Sequence, residues 1–103
     1  MNTLEFIRDR VPREELLAQL AEEAAELGHA ALKLRRVYSG TNPTPVKHSD
    51  AFNSLLEEIA DVRLLLVVLG LGPGAHRNEF VKIMDAKLDR WVARLRAAEE
   101  AAV

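Results

Sequence analysis

The chain contains no cysteine. Disulfides, thiolate zinc sites and cysteine nucleophiles are excluded together, and a reducing compartment is the natural setting. Positive charge is not in excess either: 14 Lys and Arg stand against 16 Asp and Glu, so no basic field is available to hold nucleic acid. The longest apolar run, Leu64 to Leu71, falls far short of the ~20 residues that a bilayer span needs. Met1 to Arg10 mixes charged and apolar residues and lacks the apolar core of a signal peptide. The expectation is a cytoplasmic protein without nucleic-acid or membrane partners. No stretch carries a strand signal, and the only internal echo is a short acidic pattern.

What is present is helical. With 103 residues, 49% of them apolar, the chain is expected to form a single small domain over 1–103 with a modest core. Asn2-Thr3-Leu4-Glu5 predicts a capped short helix to about Arg10, with Leu4 and Ile7 inward. Pro12 suits a helix's first turn, and Glu14 and Glu15 complement its positive end. From there to about Val37 apolar residues keep helical spacing without a proline, which predicts a long helix. Residues 38–50 hold Ser39-Gly40 and Asn42-Pro43-Thr44-Pro45 and predict a loop. That loop is either a plain connector or a wall contacting ligand through Tyr38, Asn42 or His48.

Ser49 or Asp50 is positioned to cap the next helix, to about Leu69, whose segment Leu64 to Leu69 is apolar all round. Three helices can hardly enclose such a segment, which predicts a homodimer or a dimer of dimers. Gly70, Gly72, Pro73 and Gly74 end it. A last helix from about Ala75 to Ala98 places Phe80, Ile83, Met84, Leu88, Trp91 and Leu95 on one side. Lys82, Lys87, Arg90, Arg94 and Arg96 are expected on the other, and residues 99–103 are expected to fray. Trp91 and Met84 read as core or interface filling.

Two acidic sets carry the chemistry: Glu22-Glu23-Ala24-Ala25-Glu26 and Glu57-Glu58-Ile59-Ala60-Asp61. Residues three and four apart share one side of a helix, so each set gathers three carboxylates. Leu20 and Leu27 flank Glu23 at −3 and +4, and Leu55 and Val62 flank Glu58 in the same way. These acids therefore sit within or beside apolar stripes, where an unpaired charge costs several kcal/mol. Antiparallel pairing of the two helices brings Glu23 and Glu26 opposite Glu58 and Asp61. Such an all-oxygen set suits a hard cation, Mg²⁺ or Mn²⁺. Lys82, Lys87, Arg90 and Arg94 are candidates for the phosphate half of such a site, with a solvated helix face as the alternative. A water activated by the metal would attack phosphorus, with a spare carboxylate taking the proton.

The pattern Glu-Glu-x-x-Glu on one helix and Glu-x-x-Asp on the next resembles the signature of the all-α nucleoside triphosphate pyrophosphohydrolases, the MazG-like superfamily. Leu20 to Leu27 and Leu56 to Val62 are similar to that family's helical segments, as is the basic stretch Lys87-Leu88-Asp89-Arg90. The resemblance covers about residues 14 to 96. It implies Mg²⁺-dependent cleavage of a (deoxy)nucleoside triphosphate to monophosphate and pyrophosphate by a homo-oligomeric helical bundle. It assigns Glu23, Glu26, Glu58 and Asp61 to the metal, and Glu22 or Glu26 to proton acceptance. It assigns Lys87 and Arg90 to the substrate, and the basic helix face adds Arg94 as a further candidate substrate contact. The 31 residues between Glu26 and Glu58 exceed the spacing of many members; Arg63 in the apolar stretch and Asp89 in the basic one are further departures.

Two other readings compete. Glu26-Leu27-Gly28-His29 is a Glu-x-x-His, and a dimer would supply two of these with two copies of Glu58, the ligand set of a carboxylate-bridged di-iron bundle. That reading leaves Glu23 and Asp61 surplus. The other is a non-enzymatic helical module whose exposed acids meet a basic partner. His29 and His48 otherwise read as surface residues.

Overall fold

Every third or fourth residue along two long helices turns inward, and on the first of them the alternation is strict. In a computed structural model that describes residues 2–40 and 45–102, the chain forms α1 (Thr3–Arg10), α2 (Arg13–Ser39), α3 (His48–Val68) and α4 (Arg77–Ala101). No strand occurs among the described residues. On α2 the buried and half-buried positions are Leu16, Leu20, Glu23, Leu27, Ala30, Leu34 and Val37. On α3 and its cap they include Ala51, Leu55, Glu58, Val62, Leu65 and Leu69. Both series step by four and three, the heptad spacing that keeps one narrow seam facing a partner helix.

The two helices pair antiparallel. Leu16, near the start of α2, packs with Leu65, Val68 and Leu69 at the end of α3. At the opposite end, Tyr38 meets His48, with ring centroids 5.0 Å apart. α1 closes the first of these ends, laying Leu4 and Ile7 on the same cluster. Its capping box is formed as predicted: Asn2 accepts from the Glu5 backbone N–H at 2.8 Å, and Glu5 accepts in return from that of Asn2.

The end of α3 is satisfied twice over. Gly70, at φ 74°, donates to the Val67 carbonyl and Leu71 donates to that of Leu66, the paired bonds of a Schellman cap. Arg8 Nε donates to the Val68 carbonyl at 2.7 Å and its guanidinium also reaches that of Val67, while Arg13 reaches that of Leu69. Two cations thus sit at the negative end of the helix dipole.

Several boundaries differ from those expected. Tyr38 and Ser39 remain in α2, which ends at Gly40 (φ 65°), and α3 begins at His48, so the connector is shorter than 38–50. The physical reason is the aromatic cluster: His48 bonds Tyr38 across the pair and stacks on Phe52 one turn on, which holds both helix ends. Neither Ser49 nor Asp50 caps α3; its N-cap is Lys47, without a side-chain bond. Asn42 lies outside the described residues. α4 starts at Arg77 and continues to Ala101, into the stretch expected to fray, because Ala97 to Ala102 are strong helix formers.

The chain divides into two compact units, Met1–Gly72 and Pro73–Val103. The first holds the α1–α3 packing. The second is built on α4, which exposes Val81, Met84, Leu88, Trp91 and Leu95. Arg63 is exposed, and the apolar segment of α3 is not enclosed: Leu65, Val68 and Leu69 are buried, whereas Leu64 is 57% exposed. No helix among the described residues is long and apolar enough to cross a membrane.

Candidate metal centre

The heptad seam explains which acids meet. Glu23 and Glu58 occupy seam positions that leucine or valine fills elsewhere, so the antiparallel pairing drives both toward the helix–helix contact. Glu26 and Asp61 each lie three residues further on, at the edge of the seam, and are exposed. One carboxylate oxygen from each of Glu23, Glu26 and Glu58 lies within 4.8 Å of the other two. Asp61 is not part of this group, nor is Glu22, which is exposed on α2.

Both seam carboxylates carry an unsatisfied atom. Glu23 Oε2 and Glu58 Oε2 are shut off from solvent and have no hydrogen-bond partner. A buried acceptor in this condition is costly unless something donates to it or coordinates it. The electrostatics agree. Desolvation raises the Glu23 carboxyl above the ordinary glutamate range, and the charges of Glu26 and Asp61, a hydrogen bond with Glu26, and the charge of Glu58 raise it further. Glu58 is raised first by desolvation, then by Glu26 and Asp61, by a hydrogen bond with Glu26, and by Glu57. Asp61 therefore acts on the cluster through its field.

The donor set fits a hard cation. Oxygens coordinating one Ca²⁺ or Mg²⁺ at ~2.0–2.6 Å lie at most ~4–5 Å apart, which matches the spacing of the three carboxylates. All three ligands are oxygen, as Mg²⁺ and Mn²⁺ prefer. His29 is not among the grouped ligands, so the Glu-x-x-His pair does not assemble around the same point as Glu23.

A hollow of about 430 Å³ adjoins the cluster, lined by Glu26, His29, Ala30, Lys33, Arg36, Ser54 and Glu58. Ala30 on α2 and Ser54 on α3 contribute small side chains to its wall. Sequence reading passed over Lys33 and Arg36; their heptad register relative to Glu26, at +7 and +10, was the available signal. His29, read as a surface residue, is exposed and also lines this hollow.

In the second unit, Lys87, Arg90 and Arg94 line a separate hollow with Met84, Leu88 and Trp91. The basic residues were expected opposite the apolar stripe. Lys87 and Arg94 stand at +3 and +10 from Met84, however, and this places them on its flank. No family model, no curated protein and no solved structure matches this chain.

Proposed function

We propose that this protein is a MazG-like nucleoside triphosphate pyrophosphohydrolase that works with Mg²⁺, or Mn²⁺ in its place. The observation that carries the reading is the pair of partnerless, solvent-free Oε2 atoms of Glu23 and Glu58, with Glu26 closing the group. Two carboxylates placed where leucines would pack are a standing cost to the fold, and a divalent cation removes it.

Glu23, Glu26 and Glu58 would hold the ion, with Asp61 adding negative field from the seam's edge. A bound Mg²⁺ would supply charge neutralisation for phosphate oxygens and make a coordinated water more acidic than bulk water. Glu22 and the exposed Glu26 are the carboxylates available to take a proton from that water. Lys87, Arg90 and Arg94 are proposed as substrate contacts, the first two as the resemblance implies. The products are the (deoxy)nucleoside monophosphate and pyrophosphate.

We take the working form to be a homodimer or a dimer of dimers. On α4 Trp91 is 58% exposed and Leu88 and Leu95 are similarly open, large apolar side chains that a second copy would cover. The deciding experiment measures pyrophosphate release from a panel of canonical and modified nucleoside triphosphates, with Mg²⁺ and then with EDTA. Mg²⁺-dependent monophosphate and pyrophosphate is the expected result. A folded, Mg²⁺-supplied protein that turns over none of the panel overturns the reading.

A further inference from the structure

We propose that Lys33 and Arg36 of α2 form the phosphate grip of this site, so that a polyphosphate chain lies along the α2–α3 seam beside the carboxylate cluster. The inference rests on the carboxylates being the metal end of the site. It concerns two residues that neither the family resemblance nor the sequence pattern assigns to a ligand.

Three observations carry it. The first is the lining of the hollow, which is acidic at one end, with Glu26 and Glu58, and basic at the other, with Lys33 and Arg36. At about 430 Å³ it falls within the ~300–1,000 Å³ of small-molecule sites.

The second is reach. Lys33 stands about 10 Å, and Arg36 about 15 Å, along the helix axis from Glu26. Side chains on a helix lean toward its N-terminus, so both cations lean back toward Glu26. The gap between acids and cations is bridged by His29, Ala30 and Ser54. Of these, His29 and Ser54 can donate hydrogen bonds and none brings negative charge.

The third is the state of the two cations. Both are exposed, and neither is engaged in an ion pair with a described residue. Glu26 and Glu58, the nearest acids in the hollow, are drawn instead into the carboxylate group. Lys33 and Arg36 are therefore available to an external anion. Adjacent cationic and metal-binding ends separated by a neutral stretch suit an elongated anion with several phosphates better than a single phosphate. Arg36 also lies in the last turn of α2, where a cation favours the helix end. That role predicts an effect on stability and none on anion binding, and the test separates the two.

Inorganic tripolyphosphate is titrated calorimetrically into the full chain, with and without Mg²⁺, and Mg²⁺ is titrated alone. The expected result is that Lys33→Gln combined with Arg36→Gln weakens tripolyphosphate roughly ten- to a hundredfold, as loss of charge-assisted bonds implies, while Mg²⁺ binding is unchanged. Lys33→Arg with Arg36→Lys keeps both charges and retains binding to within a few fold. Arg35→Gln with Arg63→Gln removes equal charge from exposed positions outside the hollow and leaves binding unchanged.

Three outcomes overturn the proposal: equal tripolyphosphate affinity in the Lys33/Arg36 variant, an equal loss in the Arg35/Arg63 variant, or no binding by the unmodified protein under either condition. Failure of Mg²⁺ alone to bind sinks the pyrophosphohydrolase reading instead. The metal-free tripolyphosphate titration then still decides whether Lys33 and Arg36 grip phosphate.

Discussion

Glu23 Oε2 on α2 and Glu58 Oε2 on α3 are both buried at the seam of an antiparallel helix pair, and neither has a hydrogen-bond partner. Glu26, at the seam's edge, brings a third carboxylate within 4.8 Å of both. Hydrophobic residues at these two positions would continue the heptad without interruption. The fold thus concentrates like charge where its own packing would reject it.

Glu58→Gln should abolish Mg²⁺ binding and turnover while making the metal-free protein more stable, because it removes one charge from a desolvated, repelling group. Loss of groups that merely support metal ligands costs roughly 10–100-fold, so activity should fall by at least that much. Thermal melts in EDTA, paired with the pyrophosphate assay, check both halves. A large drop in melting temperature would instead mark Glu58 as a structural partner.

The stability of the metal-free protein should fall as pH rises. Glu23 and Glu58 have folded-state pKa values above the ordinary glutamate value of 4.5, so between the unfolded and folded values the folded state holds more protons than the unfolded state. Stability then decreases with pH across that window and levels off once both groups have ionised in the folded protein. Saturating Mg²⁺ should flatten the profile at its upper end, since a bound ion stabilises only the folded form. Melting temperatures from mildly acidic to neutral pH, with EDTA and with Mg²⁺, measure this. A metal-free profile that rises through the window contradicts it.

Arg8→Ala should destabilise the first unit by about 1–3 kcal/mol, the usual worth of charge-assisted hydrogen bonds. It removes donors from the carbonyls of Val67 and Val68 and a cation from the end of α3. Urea unfolding gives the value. Because the contacts lie at the Leu16–Leu65 end of the seam, Mg²⁺ affinity should change far less than stability.

Leu88→Glu combined with Trp91→Glu should lower the oligomeric state in sedimentation, because both side chains are exposed on α4 and a buried interface rejects charge. An unmodified protein that sediments as a monomer at all concentrations removes the self-association proposal.

Arg90→Ala should raise KM more than it lowers kcat if this residue binds phosphate in the ground state. Comparison with the Lys33 and Arg36 variants in the same assay shows whether α2, α4 or both supply the phosphate contacts. An unchanged KM removes Arg90 from the site.

Much of this protein is determined by its sequence alone. The four helices follow from local information: the Asn2–Glu5 capping box, the three–four spacing of leucines, and the glycines at 40 and 70. That spacing also puts Glu23 and Glu58 on the buried stripe, because a carboxylate at a heptad position must go where its helix turns it. Tertiary structure alone decided the rest. Pairing placed Glu26 in the cluster and left Asp61 outside it, although both stand three residues after a seam glutamate. It also joined Tyr38 to His48, moving two helix ends into what reads as loop, and opened the hollow of Lys33 and Arg36 beside Ala30 and Ser54. Periodicity along one helix specifies a face. Which residues of two faces meet, and where small side chains leave space, depends on the relative axial shift of the helices, a quantity that arises only when both are packed.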